Sequence, residues 1–247
     1  MKMTAIILAA GKGTRMNEGL ASPIPKVMFK ISEKPMVEYS IEKMENLGIE
    51  PIVLVVGYKK ELVQEYFGDR VEYAIQFDQL GTGHAVSSAE GLVAGKADAV
   101  IVSYGDNPLF SLESIKSLIQ LYEQAQPAIA MLTAVVPNPF NYGRVIRNAA
   151  GEIIANVEEV DCGEEQKKID EINPCFYIFR DDFLWDHLSD LASNNGQGQY
   201  YLTDLIKIAV DAGEKVVGLK VGDYHEALGV NTLEQLKEAE EFLSNNQ

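Results

Sequence analysis

The stretch Thr4-Ala5-Ile6-Ile7-Leu8-Ala9-Ala10-Gly11-Lys12-Gly13-Thr14-Arg15-Met16 decides the fold. Thr4–Leu8 is a short apolar run of the kind that forms a strand buried on both faces. The Gly-x-Gly turn that follows carries Lys12, Thr14 and Arg15. Glycines let backbone N–H groups approach a phosphate closely, and an arginine can hold phosphate oxygens through two N–H groups. The stretch reads as a core strand feeding a phosphate-handling loop, or else as a tight strand-to-helix turn with solvated basic residues. Two familiar phosphate loops fail here. The dinucleotide fingerprint needs a third glycine where this chain has Met16, and the P-loop needs Gly-Lys-Ser/Thr after four intervening residues.

Outward from this stretch, strands and helices alternate. Pro35–Leu47 has apolar residues near helical spacing, and Pro51–Val56 is a second apolar strand. Helical Lys59–Phe67, strand-like Val71–Gln76, helical His84–Val93, strand Ala99–Tyr104, helical Ser111–Gln124 and strand Ala128–Val136 follow. This alternation predicts an α/β fold: a Rossmann-like, three-layer α/β/α arrangement around a mixed, mostly parallel sheet. Ligands of such sheets bind beyond the carboxyl ends of the strands, which singles out the loops after Leu8, Gln76 and Tyr104.

After Val136 the pattern changes. Arg144–Arg147 and Glu152–Glu159 read as a hairpin, and Cys162–Glu171 as an exposed acidic loop. Ile172–Phe179 is a predicted strand, Asp181–Ala192 a helix, and Thr203–Ala212 a helix with Thr203 as its N-cap. Lys215–Val221 is a strand and Thr232–Leu243 an amphipathic helix, with Asn231 placed to cap it. The expected organisation is one domain over 1–247, with a nucleotide-binding half (1–136), a small β-rich sugar-binding lobe (137–231), and a C-terminal helix and tail (232–247).

The 247 residues carry a net charge of −16, which argues against a general affinity for nucleic acid or an anionic membrane. Residues 1–30 run the other way. Lys2, Lys12, Arg15, Lys26 and Lys30 face only Glu18, a local +4 that leaves −20 for the remainder. A basic patch on an acidic body suits a small, multiply charged anion. Cys162 and Cys175 lack metal-ligand spacing, and the apolar start is too short to span a bilayer, so free thiols and a cytoplasmic location are expected.

Leu8 to Met16 resembles the loop motif of sugar-nucleotide pyrophosphorylases. Further matches follow in family order. They are Pro25-Lys26-Val27, Gln79-Leu80-Gly81-Thr82-Gly83-His84-Ala85, Tyr104-Gly105-Asp106, Tyr142-Gly143-Arg144, Val157-Glu158-Glu159, Ile172-Asn173, Gln199–Asp204 and Gly229-Val230-Asn231. The chain is thereby identified as similar to sugar-1-phosphate nucleotidyltransferases, most of all to the uridyltransferase domains of bacterial N-acetylglucosamine-1-phosphate uridyltransferases. That resemblance implies attack of N-acetylglucosamine-1-phosphate on the α-phosphorus of UTP. Arg15 and Lys26 are the implied catalytic residues, and Asp106 and Asn231 the implied ligands of Mg²⁺. Leu8, Ala9, Ala10, Gly11, Lys12, Gly13, Thr14, Gln76, Gly81, Thr82, Tyr104 and Gly105 are the implied nucleotide contacts. Gly143, Glu158, Asn173, Tyr201 and Thr203 are the implied sugar contacts. His84 is expected to give packing or polar support.

Three departures stand out. The interval from Arg15 to Lys26 is longer than in the nearest relatives, a feature shared with thymidylyltransferase-like members. Pro174-Cys175 follows Asn173 where those relatives have Thr-Gly. Nothing in the 247 residues could supply the acetyltransferase β-helix of the bifunctional members. Another sugar-1-phosphate, dTTP or CTP as donor, and a non-catalytic UDP-sugar binding role are the competing expectations. Met16 speaks against an NAD-linked oxidoreductase.

Overall fold

The computed structural model describes residues 1–245. The first strand, β1 (Met3–Ala9), lies between β4 (Ile52–Val56) and β6 (Ala99–Tyr104), parallel to both, and β5 (Glu72–Ile75) extends the parallel set beyond β4. Its side chains alternate between two apolar layers. Ala5, Ile7 and Ala9 pack on one face with Leu54, Val56 and Ile101; Ile6 packs on the other with Val53, Val55, Val100 and Val102. That two-sided burial is why the strands read as continuous apolar runs rather than alternating ones. The covering helices of this half are α1 (Met36–Asn46), α2 (Lys60–Phe67), α3 (Thr82–Ser87), α4 (Glu90–Val93) and α5 (Leu112–Ala125). A two-stranded ribbon, β2 (Lys30–Ile31) and β3 (Lys34–Pro35), precedes α1.

The sheet continues unbroken into the second half. It adds β7 (Ile129–Val135), β8 (Gly143–Arg147), β9 (Ile153–Val157), β10 (Glu171–Asn173), β11 (Tyr177–Arg180) and β12 (Val216–Lys220). Its order is β5-β4-β1-β6-β11-β7-β10-β8-β9, with β12 parallel to β7. β11 is antiparallel to both β6 and β7, and β10 to both β7 and β8. β8 and β9 form the predicted hairpin. Seven of the ten strands therefore share one direction. The later helices are α6 (Asp181–His187), α7 (Asp204–Asp211) and α8 (Leu233–Asn245). Asn246 and Gln247, the end of the expected tail, lie outside the described residues.

Several expectations are corrected. The predicted helix His84–Val93 is two helices, α3 and α4. Ser87 and Ser88 both donate their hydroxyls to His84 O (2.9 and 3.0 Å) at the break, where serine side chains compete with the backbone. The single strand predicted over Ile172–Phe179 is β10 and β11. Cys175 adopts φ 63°, a left-handed conformation, and that turn moves the chain from beside β8 to between β6 and β7. The helix expected over Asp181–Ala192 ends as α helix at His187. The loop Cys162–Glu171 is exposed along most of its length, as expected, but its two ends, Cys162 and Glu171, are buried, and Arg147 forks onto the Glu171 carboxylate. Thr203 stands at the N-cap position of α7, but its hydroxyl makes no capping bond and donates to Glu158 instead. Nor does Asn231 cap α8. The Thr232 hydroxyl accepts from Gln235 N while Gln235 Oε1 accepts from Asn231 N, a reciprocal cap that leaves the Asn231 side chain free for other work.

Candidate active site

The loops after β1, β5 and β6 open on the same edge of the sheet, where parallel strands end. Leu8, Ala10, Gly11, Gln76, Gly81, Thr82 and Tyr104 line a cleft of about 220 Å³ together with Lys26 and Asp106. Val27, Gln79, Ala85 and Gln199 complete the wall; each belongs to a motif that carries the resemblance, but none is among the expected site residues. Ala9, Lys12, Gly13, Thr14 and Gly105 do not line the cleft; Lys12, Thr14 and Arg15 are exposed beside it. A larger cavity of about 700 Å³ lies behind Gly229 and Val230, between the segment 136–142 and α8. None of the charged candidates lines it.

Asn17 holds the opening loop to the segment before Lys26. Its Nδ2 donates to Lys12 O (2.8 Å), Gly13 O (3.1 Å) and Ile24 O (2.8 Å), and its Oδ1 accepts from Ile24 N (2.8 Å). Lys26 N adds a bond to Gly11 O (3.3 Å). The long passage from Arg15 to Lys26 is thus closed by one side-chain amide. Met16, where a dinucleotide fingerprint would have glycine, is fully buried in the core.

Lys26 reaches the carboxyl ends of the strands. Its Nζ pairs with Asp106 Oδ2 and donates to Asn231 Oδ1 (2.7 Å), and Arg15 Nη2 comes to 3.4 Å from the same Asn231 oxygen. Val230 N donates to Asp106 O (2.9 Å), which fixes the two oxygen-bearing residues beside each other across more than a hundred residues of sequence. Two side-chain oxygens therefore already converge on a cationic nitrogen. That donor set, one carboxylate and one amide oxygen, suits a hard divalent ion that keeps waters and phosphate oxygens as its other ligands. Among the described residues no cluster of three or more His, Cys, Asp or Glu is placed to hold a metal.

Gln76 is buried, and its Nε2 lies 3.1 Å from Gly81 O and 3.2 Å from His84 Nδ1. The second contact makes His84 a support for the Gln76 amide. Gly81 has φ 121°, and a Cβ there would stand 2.5 Å from Tyr200 O. Tyr200 clamps the turn by accepting from Gly83 N (2.8 Å) and donating to Leu80 O (2.9 Å). The Thr82 hydroxyl accepts from Leu202 N (3.0 Å), tying this turn to the segment that carries Tyr201 and Thr203.

On that far side Glu158 Oε1 accepts from the Thr203 hydroxyl (3.0 Å) and from Asn156 Nδ2 (3.1 Å). Burial pushes the Glu158 carboxyl above its ordinary range, the two hydrogen bonds only partly offset this, and Asp204 and Asp161 add to the rise. Tyr201 is buried and its phenol is pushed up to about 12 by desolvation. Asn173 is 2 % exposed, with both ends of its amide engaged. Oδ1 accepts from Cys175 N (3.0 Å) and Nδ2 donates to Tyr177 OH (2.7 Å). It builds the turn at Pro174-Cys175 more than it faces open space. Burial likewise raises Tyr104 and Tyr177 well above the ordinary phenol value and lifts the Cys175 thiol to about 12, so that thiol stays protonated at neutral pH. Gly143 sits under the Asn156 amide, with which a Cβ would collide.

A parallel sheet edge bearing a basic glycine-rich loop, a carboxylate and a polar second wall defines a nucleotide-handling enzyme. The model of the MobA-like NTP transferase domain matches residues 5–201, and the chain belongs to that family: it is a nucleotidyltransferase. It is 42% identical over 242 residues to the bifunctional protein GlmU of Brevibacillus brevis, covering 98% of this chain and 52% of that one. The GlmU of Streptococcus suis is 44% identical over 236 residues, covering 96% and 50%. The chain thus spans about half the length of the curated relatives it matches. A solved UDP-glucose pyrophosphorylase bound to UDP-glucose shares the fold, with a TM-score of 0.81 at 21% identity over the full length of both chains. Among the described residues no helix is long and apolar enough to cross a membrane.

Proposed function

We propose that this enzyme transfers a uridylyl group from UTP to N-acetylglucosamine-1-phosphate, forming UDP-N-acetylglucosamine and releasing pyrophosphate. The observation that carries this reading is the cleft in which Gln76, Gly81 and Thr82 lie with Lys26 and Asp106, tied through the Thr82 hydroxyl and Leu202 N to the segment whose Thr203 donates to Glu158. Gln76, Gly81 and Thr82 belong to residues 1–136 and Glu158 and Thr203 to residues 137–231, so the two halves divide the substrates between them. The 42% identity to a GlmU over nearly the whole chain supports the same substrates. The free thiols Cys162 and Cys175 fit a reaction carried out in the cytoplasm.

Transfer at phosphorus needs positioning and charge neutralisation more than covalent help. Arg15, exposed at the mouth of the cleft, takes the β- and γ-phosphate oxygens and the developing pyrophosphate. Lys26 takes the sugar phosphate and holds it in line with the α-phosphorus. Removing one such donor costs about 3 kcal/mol of transition-state stabilisation. The Gln76 amide and the Gly81-Thr82 backbone recognise the uracil edge, which both donates and accepts. Asp106 and Asn231 would hold Mg²⁺, which supplies charge neutralisation on the phosphate oxygens when bound.

Pyrophosphate release is the test. UTP, dTTP and CTP are each paired with N-acetylglucosamine-1-phosphate and glucose-1-phosphate, with and without Mg²⁺. UTP with N-acetylglucosamine-1-phosphate should give the highest kcat/KM, and Asp106→Ala should abolish the magnesium-dependent rate while melting as a folded protein. No turnover of that pair overturns the substrate reading. Normal turnover by Asp106→Ala overturns the ion's assignment.

A further inference from the structure

Lys43 carries none of the roles assigned so far, yet its ammonium is withdrawn from water. It lies on α1, and its Nζ donates to Pro108 O, two residues beyond Asp106. Burial pushes that ammonium down to about 8, against the opposing pull of Glu226 and Glu42. A lysine on a helix ordinarily lays its stem on apolar surface and keeps its head in water. This one gives up hydration to hold a single backbone carbonyl. Ser40, Ser103 and Asn107 share a small void with it beneath the turn, and the buried Ser103 hydroxyl has no partner among the described residues.

The contact belongs to a set that converges on the turn after β6. Asn107 Nδ2 donates to Pro174 O, and a Cβ on Gly229 would stand 2.8 Å from Asn107 Oδ1. Pro108, Leu109 and Phe110 are buried. Just beyond them, Ser111 N donates to Glu226 Oε2 (2.8 Å). Glu226 lies in the short 3₁₀ turn Tyr224–Ala227, five residues before Asn231. Lys43 therefore holds the turn from α1, and Glu226 holds it from the segment that leads to Asn231. The backbone that carries Asp106 and the backbone that carries Asn231 are tied by these two charged groups, one through a carbonyl and one through an N–H.

We infer that Lys43 is a positioning residue for the divalent ion: with Glu226 it fixes the turn after β6, so that the Asp106 carboxylate and Asn231 Oδ1 keep the separation at which one cation takes both. The inference rests on the proposed function, in that Asp106 and Asn231 are taken as the ligands of that cation. Oxygens already held in place bind an ion more tightly than oxygens that must first be gathered. Loss of a contact that supports a metal ligand costs about 10- to 100-fold in affinity.

The test compares the intact chain with Lys43→Met, which keeps the apolar stem and removes the donor, and with Lys43→Arg, which keeps a donor. Mn²⁺ binding is read from the loss of the free-ion electron paramagnetic resonance signal, with UDP-N-acetylglucosamine present. Pyrophosphate release is followed against Mg²⁺ concentration, and melting temperature is measured alongside. Lys43→Met should bind Mn²⁺ about tenfold more weakly or worse and need correspondingly more Mg²⁺ for its half-maximal rate. At saturating Mg²⁺ its KM for UTP should stay within about twofold of the parent. Lys43→Arg should bind Mn²⁺ more tightly than Lys43→Met does. Should the methionine variant not fold, Glu226→Ala, which frees Ser111 N, is read in its place and should weaken the ion likewise. Parent-like Mn²⁺ affinity in the folded variant, whatever its melting temperature, overturns the inference and leaves the proposed function standing. Parent-like Mn²⁺ affinity in Asp106→Ala overturns the ion's assignment itself, and the inference with it.

Discussion

At the scale of single residues, Glu158 separates function from stability. Its carboxyl is raised by burial, so its ionised form is disfavoured in the folded chain. A carboxyl whose folded pKa lies above the unfolded value contributes stability below the unfolded pKa, and that contribution is lost as pH rises through the folded pKa. Glu158→Gln removes the burden of the buried charge. It should therefore melt at or above the temperature of the parent near neutral pH, with the difference shrinking as pH falls toward about 4. The same variant should raise KM for the sugar phosphate about tenfold, because one acceptor becomes a donor. Thermal melts across pH beside steady-state kinetics decide the matter. A variant that is less stable at neutral pH and kinetically normal would contradict the role given to Glu158. Another residue escaped the sequence for a definable reason. Asn17 is a polar residue in an irregular loop, and only the folded chain shows its amide bridging Lys12, Gly13 and Ile24.

At the scale of elements, the turn before α3 shows how one backbone conformation holds a wall of the cleft. Gly81 takes φ 121° and lies against the backbone of Tyr200, so neither the angle nor the space admits a side chain. Gly81→Ala should lower stability by about 2 kcal/mol and raise KM for UTP more than KM for the sugar phosphate. Melting temperature and the two KM values measured together test this. Parent-like stability with an unchanged KM for UTP would remove the turn from the nucleotide wall. The strands and most helices were legible because two-sided burial and helical spacing leave strong patterns. Elements broken by local chemistry were not. The serines after His84 split a helix, and the left-handed turn at Cys175 splits a strand whose apolar run, Phe176 to Phe179, continues across the break. Asn231 looked like a cap because it precedes a helix, whereas Thr232 with Gln235 fills that role.

At the scale of the whole molecule, the loops after β1, β5 and β6 lie where a parallel sheet presents its ligands, and the alternation of strands and helices foretold that edge. The path of the second half was not foretold. β11 enters between β6 and β7 and runs against both, which brings Cys175 next to Tyr104 and sets the Glu158 wall beside the nucleotide wall. Pairings between strands so far apart in sequence leave no local trace. The central claim is that UTP lies in the cleft after β1, β5 and β6, with its α-phosphate facing a sugar phosphate held from the Glu158 side. A crystal structure with Mg²⁺ and UDP-N-acetylglucosamine tests it most directly. The uracil should lie against Gln76 and Gly81, the sugar against Glu158, and the ion on Asp106 and Asn231 with Lys26 released from both. A sugar nucleotide bound elsewhere, or Lys26 still paired to Asp106 and Asn231 with the product in place, would contradict it.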